Sequence, residues 1–480
     1  MSPRTIAAAT DAAYDRDLVG YAGEPPHAAW PDRARICLQF VVNYEEGGEN
    51  CVLHGDAGSE AFLSEIVNAQ PWLGQRNMNM ESIYEYGARV GFWRLHRLFT
   101  ERKIPVTVFG IATALARNPQ AVTAMQDAGW EIASHGLKWI DYHDFSEEDE
   151  RDHITAAIRL HRQVTGQRPL GFYQGRNSNH TLKLVMEDGG FLYSADSYAD
   201  ELPYWVEGSQ GPHLIVPYTL DANDMRFATA QGFNSGDQFF AYLKDSFDTL
   251  YMEGEERPAM LSIGLHCRLV GRPGRAAALA RFLDYARSHE GVWFATRLDI
   301  ARHWIRHHPP QGGYRPTRMP RALFVERFGG VYEHSPWIAE GAYDKGLGPA
   351  EDTAEGLHAA FAAVLAAAPD EDKLALIMAH PDLAGRLAQA KMLTADSTAE
   401  QASAGLDKLT PAELARFTEL NDAYKAKFGF LFIMAIKGRS KADIVAGFER
   451  RLQNDRDHEF AEGLRQIGEI ARLRLKDMLP

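Results

Sequence analysis

Residues 34 to 50 read ARICLQFVVNYEEGGEN, and the change of character halfway through decides the fold. As far as Val42 the run is apolar, interrupted by Arg35 and Gln39 alone. Such a run, without polar alternation, predicts a strand buried on both faces. From Asn43 the chain is polar and carries Gly47 and Gly48, so it turns where the strand ends. Strands of this kind pair in parallel and need helical crossovers. The next residues supply them: IYEYGARVGFWRLHRLFTERK (83 to 103) has helical spacing and leads into IPVTVFGIA, a second strand. QAVTAMQDAGWEIASHG (120 to 136) repeats helix, glycine turn and strand. RPAMLSIGLHC (257 to 267) is a late strand, and AALARFLDYARSHEGVWFATRLDIARHW (277 to 304) adds helix, strand and helix. The alternation predicts an α/β barrel or doubly wound sheet.

In such folds sites gather at the carboxyl ends of strands. Four stretches satisfy that condition independently: Asn43 to Glu46, Ser134 to His135, Tyr173 to Arg176, and His266 to Arg268. Within ASHGLKWIDYH (133 to 143), His135, Trp139 and His143 recur every fourth residue. The pattern is that of a metal site with tryptophan in the middle slot. His143, in an acidic stretch, is expected at the surface.

At 480 residues the chain exceeds one ordinary core, and about two to three domains are expected. The net charge of -14 argues against a sequence-independent nucleic-acid binder, which needs a basic face. Cys37, Cys51 and Cys267 are too scattered for a disulfide framework or a cysteine-rich zinc site. No stretch approaches the roughly 20 apolar residues of a membrane span. A cytoplasmic enzyme without membrane or nucleic-acid partners is expected, as a homo-oligomer.

RHHPPQGGYRPTRMPR (306 to 321) lacks an apolar period and marks the domain boundary. We therefore expect domains over 1–310 and 320–480. Beyond the boundary the pattern is helical: EGLHAAFAAVLAAA carries Leu357, Phe361, Val364 and Leu365 at helical spacing. An all-α bundle follows. In LALIMAHPDLAGRL, His380 precedes Pro381 and so belongs at a helix boundary. STAEQASAGL places Glu400 and Gln401 in a helical pattern, and FGFLFIMAIKG is an apolar run able to wall a small pocket.

The acidic pair Glu45 and Glu46, Ser134-His135, TGQRPLGFY (165 to 173) and the late LSIGLH together resemble the polysaccharide-deacetylase superfamily. FVVNYEEGGEN, the SHG start and GLHCRLVGRPGR resemble its cofactor-independent allantoinase branch, over roughly residues 14 to 305. The resemblance implies a distorted (β/α) barrel. In the parent family it implies a divalent metal on one carboxylate and two histidines, a second carboxylate as base and a late histidine as acid. By position, Glu45 or Glu46 would be the base, His135 the first histidine and His266 the acid. The second histidine would fall at Trp139, whose indole has no lone pair for a metal. The family's arginine after Gly-Phe is absent; Tyr173 stands there, and Arg176 is the next. A site without metal or other cofactor is expected, with Trp139 and Arg176 in the substrate pocket.

FVERFGGVYEHSPWIAE (324 to 340) and NDAYKAKFGF (421 to 430), with the three C-terminal stretches above, resemble OHCU decarboxylase, which acts on 2-oxo-4-hydroxy-4-carboxy-5-ureidoimidazoline. This resemblance runs from about 320 to 480. It implies His380 and Glu400 as catalytic residues, and substrate contacts from Pro381, Ser397, Thr398, Ala399 and Gln401. It also implies contacts from Phe432, Ile433, Met434, Ala435 and Ile436. Arg386 or Arg474 is expected to meet the substrate's carboxylate. Together the two resemblances imply small ureide substrates and consecutive steps of urate degradation: OHCU to (S)-allantoin, then allantoin to allantoate. For the first domain the alternatives are a metal-dependent polysaccharide deacetylase and a non-catalytic allantoin-binding partner.

Overall fold

The computed structural model describes residues 16–66, 68–230, 232–380 and 409–480. Among them the chain forms two compact units. The first reaches Ser209 and resumes over His213–His308; the second comprises Gln210–Pro212 and the residues from Pro309.

Among the described residues nine strands form one sheet: β1 (Ile36–Tyr44), β2 (Thr107–Gly110), β3 (Glu131–Ser134), β4 (Gly171–Phe172), β5 (Tyr193–Ser194), β6 (Tyr204–Gly208), β7 (Gly211–Ile215), β8 (Ala259–His266) and β9 (Val292–Ala295). Every residue of β1 is buried, as its continuous apolar run predicted. It pairs in parallel with β8 along Ile36–Asn43, with β2 along Val41–Tyr44 and with β9 along Ile36–Gln39. The sheet order is β6-β7-β5-β4-β3-β2-β1-β8, so β6 and β8 are its ends and the barrel is incomplete. This is the curled half-barrel form of the expected α/β barrel.

Two buried polar residues of β1 bond to distant partners. Gln39 Oε1 accepts from Arg297 Nη1 at 2.9 Å, and Asn43 Nδ2 donates to the Tyr218 hydroxyl at 2.9 Å. The segment read as one helix over 83 to 103 is two, Met78–Tyr86 and Phe92–Arg102, joined by a π-helical turn over Gly87–Gly91. The two glycines explain the turn. A Cβ at Gly91 would lie 2.0 Å from the Cys267 carbonyl oxygen, and one at Gly87 would lie 2.3 Å from Glu46 Oε1. The helix thereby presses its backbone against the ends of β1 and β8. Such π-turns accompany functional sites.

The second unit is helical in its described residues, with helices Arg321–Phe328, Trp337–Asp344, Ala354–Ala367, Asp370–Ala379, Pro411–Phe428, Lys441–Arg451 and Arg456–Lys476. In Ala354–Ala367 the buried face is Ala354, Leu357, Phe361, Val364 and Leu365, the spacing read from sequence. Thr410 and Ser440 open their helices with capping boxes to Glu413 and Asp443, satisfying first-turn N–H groups. Among the described residues of both units, no helix is long and apolar enough to cross a membrane.

Candidate active site

The carboxyl ends of the strands surround a cavity of about 550 Å³ in the first unit. Glu45 follows β1, His135 follows β3, Tyr173 to Arg176 follow β4, Tyr218 follows β7, and His266 ends β8. The four stretches singled out in sequence thus converge. Trp139 is held beside them because its backbone N–H donates to the Gly48 carbonyl at 2.8 Å, and Tyr142 N–H ties the same loop to the Arg176 carbonyl at 3.0 Å.

At the cavity floor Glu45 Oε1 lies 3.4 Å from His135 Nε2 and 3.5 Å from His266 Nε2. Glu45 Oε2 is 2.7 Å from Arg268 Nη2. Burial opposes ionisation of Glu45, but the charges of Arg268 and His266 and contacts with both imidazoles hold its carboxyl well below the ordinary carboxylate range. His266 Nδ1 donates to Asp224 Oδ1 at 2.6 Å, which fixes the ring and turns Nε2 toward Glu45. Asp224 is itself anchored, accepting from the backbone N–H groups of His266 at 2.8 Å and Val270 at 2.9 Å. Burial lowers the His266 pKa, but the charges of Glu45 and Asp224 and their hydrogen bonds reverse this and raise it to about 9. At neutral pH the site therefore holds a glutamate anion against an imidazolium.

His135 is 1% exposed, and neither of its ring nitrogens makes a hydrogen bond within the protein. A buried imidazole whose polar neighbour is Glu45 Oε1 at 3.4 Å, facing a cavity, is poised for something that enters it. The Tyr218 hydroxyl accepts from Asn43, so its own hydrogen points elsewhere. Arg176 lies 4.0 Å above Trp139 and 4.9 Å from Phe62, with Nη2 3.7 Å from Glu60 Oε1. The walls are thus largely aromatic, with a few donors and the carboxylates of Glu45 and Asp141 set among them.

The structure separates the two glutamates that sequence left equivalent. Glu46 does not line the cavity: Oε1 accepts from the Arg268 backbone N–H at 3.2 Å and Oε2 from the Glu45 N–H at 3.2 Å. Expecting Glu46 to serve as an alternative base therefore fails, because its oxygens are committed to the turn. His143 stands at the surface between Asp141 and Asp144. Sequence reading missed Asp224, Tyr218 and the role of Arg268. Arg268 ended one of the four strand-end stretches, but no signal marked Asp224.

The residues do not fit the metal of the parent deacetylases. Trp139 stands where a second histidine is needed, Glu46 is engaged by backbone N–H groups, and a guanidinium is lodged against Glu45. Among the described residues, no three His, Cys, Asp or Glu side chains are arranged to hold an ion.

In the second unit His380 caps the carboxyl end of helix Asp370–Ala379 with extended dihedrals, as the following proline demands. The ring is 3% exposed and Nδ1 donates to the Leu376 carbonyl at 2.9 Å, which leaves Nε2 as the basic nitrogen of the neutral ring. Phe432, Ile433, Met434, Ala435 and Ile436 form an irregular segment whose side chains are 1–6% exposed. Among the described residues these side chains are buried, Phe432 stacking on Phe448 at 3.6 Å. The backbone is held, with Ala435 N–H on Gln466 Oε1 at 2.9 Å and the Ile433 carbonyl on Arg451 Nη1 at 2.5 Å. Arg474 is buried and donates to the Val331 carbonyl at 3.3 Å. Pro381, Arg386, Ser397, Thr398, Ala399, Glu400 and Gln401 lie outside the described residues.

Residues 317–476 match the OHCU decarboxylase family, and residues 80–191 match the polysaccharide deacetylase family. A Schizosaccharomyces pombe protein named for the polysaccharide deacetylases is 43% identical over 315 residues, covering 61% of this chain and 98% of that protein. The 2-oxo-4-hydroxy-4-carboxy-5-ureidoimidazoline decarboxylase of Halalkalicoccus jeotgali is 41% identical over 162 residues, covering 34% of this chain and 88% of that protein. The solved structure of Puue allantoinase is 60% identical with a TM-score of 0.61, over 62% of this chain and 99% of that one. The chain therefore belongs to the polysaccharide deacetylase family, as an allantoinase-like member, through its first unit, and to the OHCU decarboxylase family through its second.

Proposed function

We propose that this chain carries out two consecutive steps of urate degradation. The second unit decarboxylates OHCU to (S)-allantoin, and the first hydrolyses the hydantoin ring of allantoin to allantoate without a metal. The observation that carries the hydrolytic reading is the placement of Glu45 Oε1 between His135 Nε2 and His266 Nε2 at the floor of an aromatic cavity. Likeness to Puue allantoinase along nearly its whole length supports the substrate class.

The chemistry closes on these residues. Water held by Glu45 Oε1 attacks the ring carbonyl, and Glu45 takes its proton. His135 and Tyr218 face the cavity as donors for the developing oxyanion. His266 Nε2 gives its proton to the departing ring nitrogen. As His266 discharges, Glu45 loses a cationic neighbour, and the proton it has taken is held more firmly until the leaving nitrogen has departed. The proton on Glu45 then returns to His266 across their 3.5 Å contact, and the site is restored. In the second unit, loss of CO2 leaves electron density that the substrate's own ring accepts. The protein has only to hold the ureide, exclude water and deliver one proton, which His380 supplies from Nε2 once that nitrogen has taken a proton.

A chelator-treated preparation should open allantoin at the rate of untreated protein. Because the His266 pKa is raised, to about 9, the acid form is full at neutral pH and is lost as pH rises through that value. The rate should therefore fall about tenfold per pH unit above about 9. The same raised pKa adds stability that is complete below the unfolded value of about 6.5 and vanishes through about 9. A rate abolished by chelation and restored by zinc would refute the metal-free site, and a flat profile to about pH 10 would remove His266 as the acid.

A further inference from the structure

Glu45 and Glu46 are 1% and 3% exposed, and two adjacent carboxylates withdrawn from water must be met by positive charge. The charge is Arg268, which is wholly buried. Its Nη2 is 2.7 Å from Glu45 Oε2, its Nη1 is 3.6 Å from Glu46 Oε1, and its Nε donates to the Leu63 carbonyl at 3.1 Å. The guanidinium carbon stands 4.3 Å from the Tyr84 ring and 5.0 Å from the Trp139 ring. Arg268 does not line the cavity, so it acts through Glu45.

We propose that the Arg268 guanidinium is a resident cation that takes the charge position of a divalent metal, bridging Glu45 and Glu46, fixing Glu45 Oε1 toward the cavity and closing the pair to metal ions. Arginine suits the role because its planar fork meets two carboxylates at once, never loses its charge, and tolerates an aromatic face. Trp139 then acquires a purpose that a histidine could not serve. Its ring lies beside Arg268 on the glutamate side and carries Arg176 at 4.0 Å on the cavity side. Gly87 belongs to the same arrangement, since any side chain there would displace the Glu46 carboxylate from the guanidinium.

Arg268 is thus a positioning residue. Its effect on turnover rests on the ring-opening reading, whereas its effect on metal binding does not. The test compares full-length R268A and R268K with the wild type, each stripped by chelator. On titration with Co²⁺, R268A should bind one ion per chain more tightly than wild type by about a hundredfold, because Glu45, with His135 beside it, loses its competitor cation. With allantoin, R268A should lose kcat at least about a hundredfold with KM changed less than about threefold, and guanidinium ion should restore at least about tenfold. R268K keeps the charge but cannot span both carboxylates, and should lose kcat about tenfold. Should R268A not fold, R268K carries the test through both measurements. Wild-type kcat in a folded variant, or Co²⁺ affinity unchanged from wild type, would overturn the proposal. If allantoin proves not to be the substrate, the Co²⁺ titration decides alone.

Discussion

Glu45→Gln is expected to lower kcat for allantoin ring opening about a thousandfold, with KM changed by less than about threefold. The substitution is isosteric and removes one thing, the capacity of Oε1 to take a proton from water. Glutamine can still accept from the Arg268 guanidinium, so the turn after β1 keeps its shape. The imidazolium at His266 loses the negative charge that helps to hold it protonated, and its pKa should fall toward the ordinary value. The alkaline limb of any residual activity should move down in pH accordingly, a shift that simple loss of folded protein would not produce. Decarboxylation by the second unit should be unaffected. Steady-state assays of both reactions on one preparation measure all of this, and unchanged allantoate production would remove Glu45 from the mechanism.

His380→Asn should produce the converse pattern, lowering kcat for OHCU decarboxylation by about a hundredfold to a thousandfold and leaving ring opening untouched. Asparagine places its amide nitrogen where Nδ1 stands, so the hydrogen bond to the Leu376 carbonyl survives and the helix end remains capped. What disappears is Nε2, the nitrogen able to deliver a proton. The product should also lose its handedness, because protonation by water lacks the facial bias of a fixed imidazole. Chiral analysis of the allantoin formed checks this, and enantiopure allantoin made at wild-type rate would show that another group donates the proton.

Much of the molecule was legible in sequence because the forces involved are local. The apolar run of β1 announces burial on both faces, and the spacing of Leu357, Phe361, Val364 and Leu365 announces one helical face. Strand ends point to the site because the parallel sheet collects them, and Glu45, His135, Trp139, Arg176 and His266 all meet at one cavity. The choice between Glu45 and Glu46 was not legible, since it depends on which way a turn directs neighbouring side chains. Asp224 was equally hidden: it reaches His266 across 42 positions, and its short 3-10 turn carries no period to read. The role of the apolar segment Phe432–Ile436 was not legible for a related reason: a hydrophobic run suits a cavity wall and a core alike, and in the fold Phe432 stacks on Phe448.

The explanation of Trp139 changed most between sequence and structure. In sequence it interrupts a metal pattern; in the fold it lies against two arginines, one buried with the glutamates and one at the cavity. A site that carries its own guanidinium has no need of a second histidine.

The central claim, two consecutive activities on one metal-free chain, is tested most directly by giving chelator-treated protein chemically generated OHCU and following allantoin and allantoate together by NMR. The account predicts that (S)-allantoin rises first and then falls as allantoate accumulates to match the OHCU consumed. Allantoin that accumulates without further conversion, or allantoate that forms only after zinc is added, would contradict it.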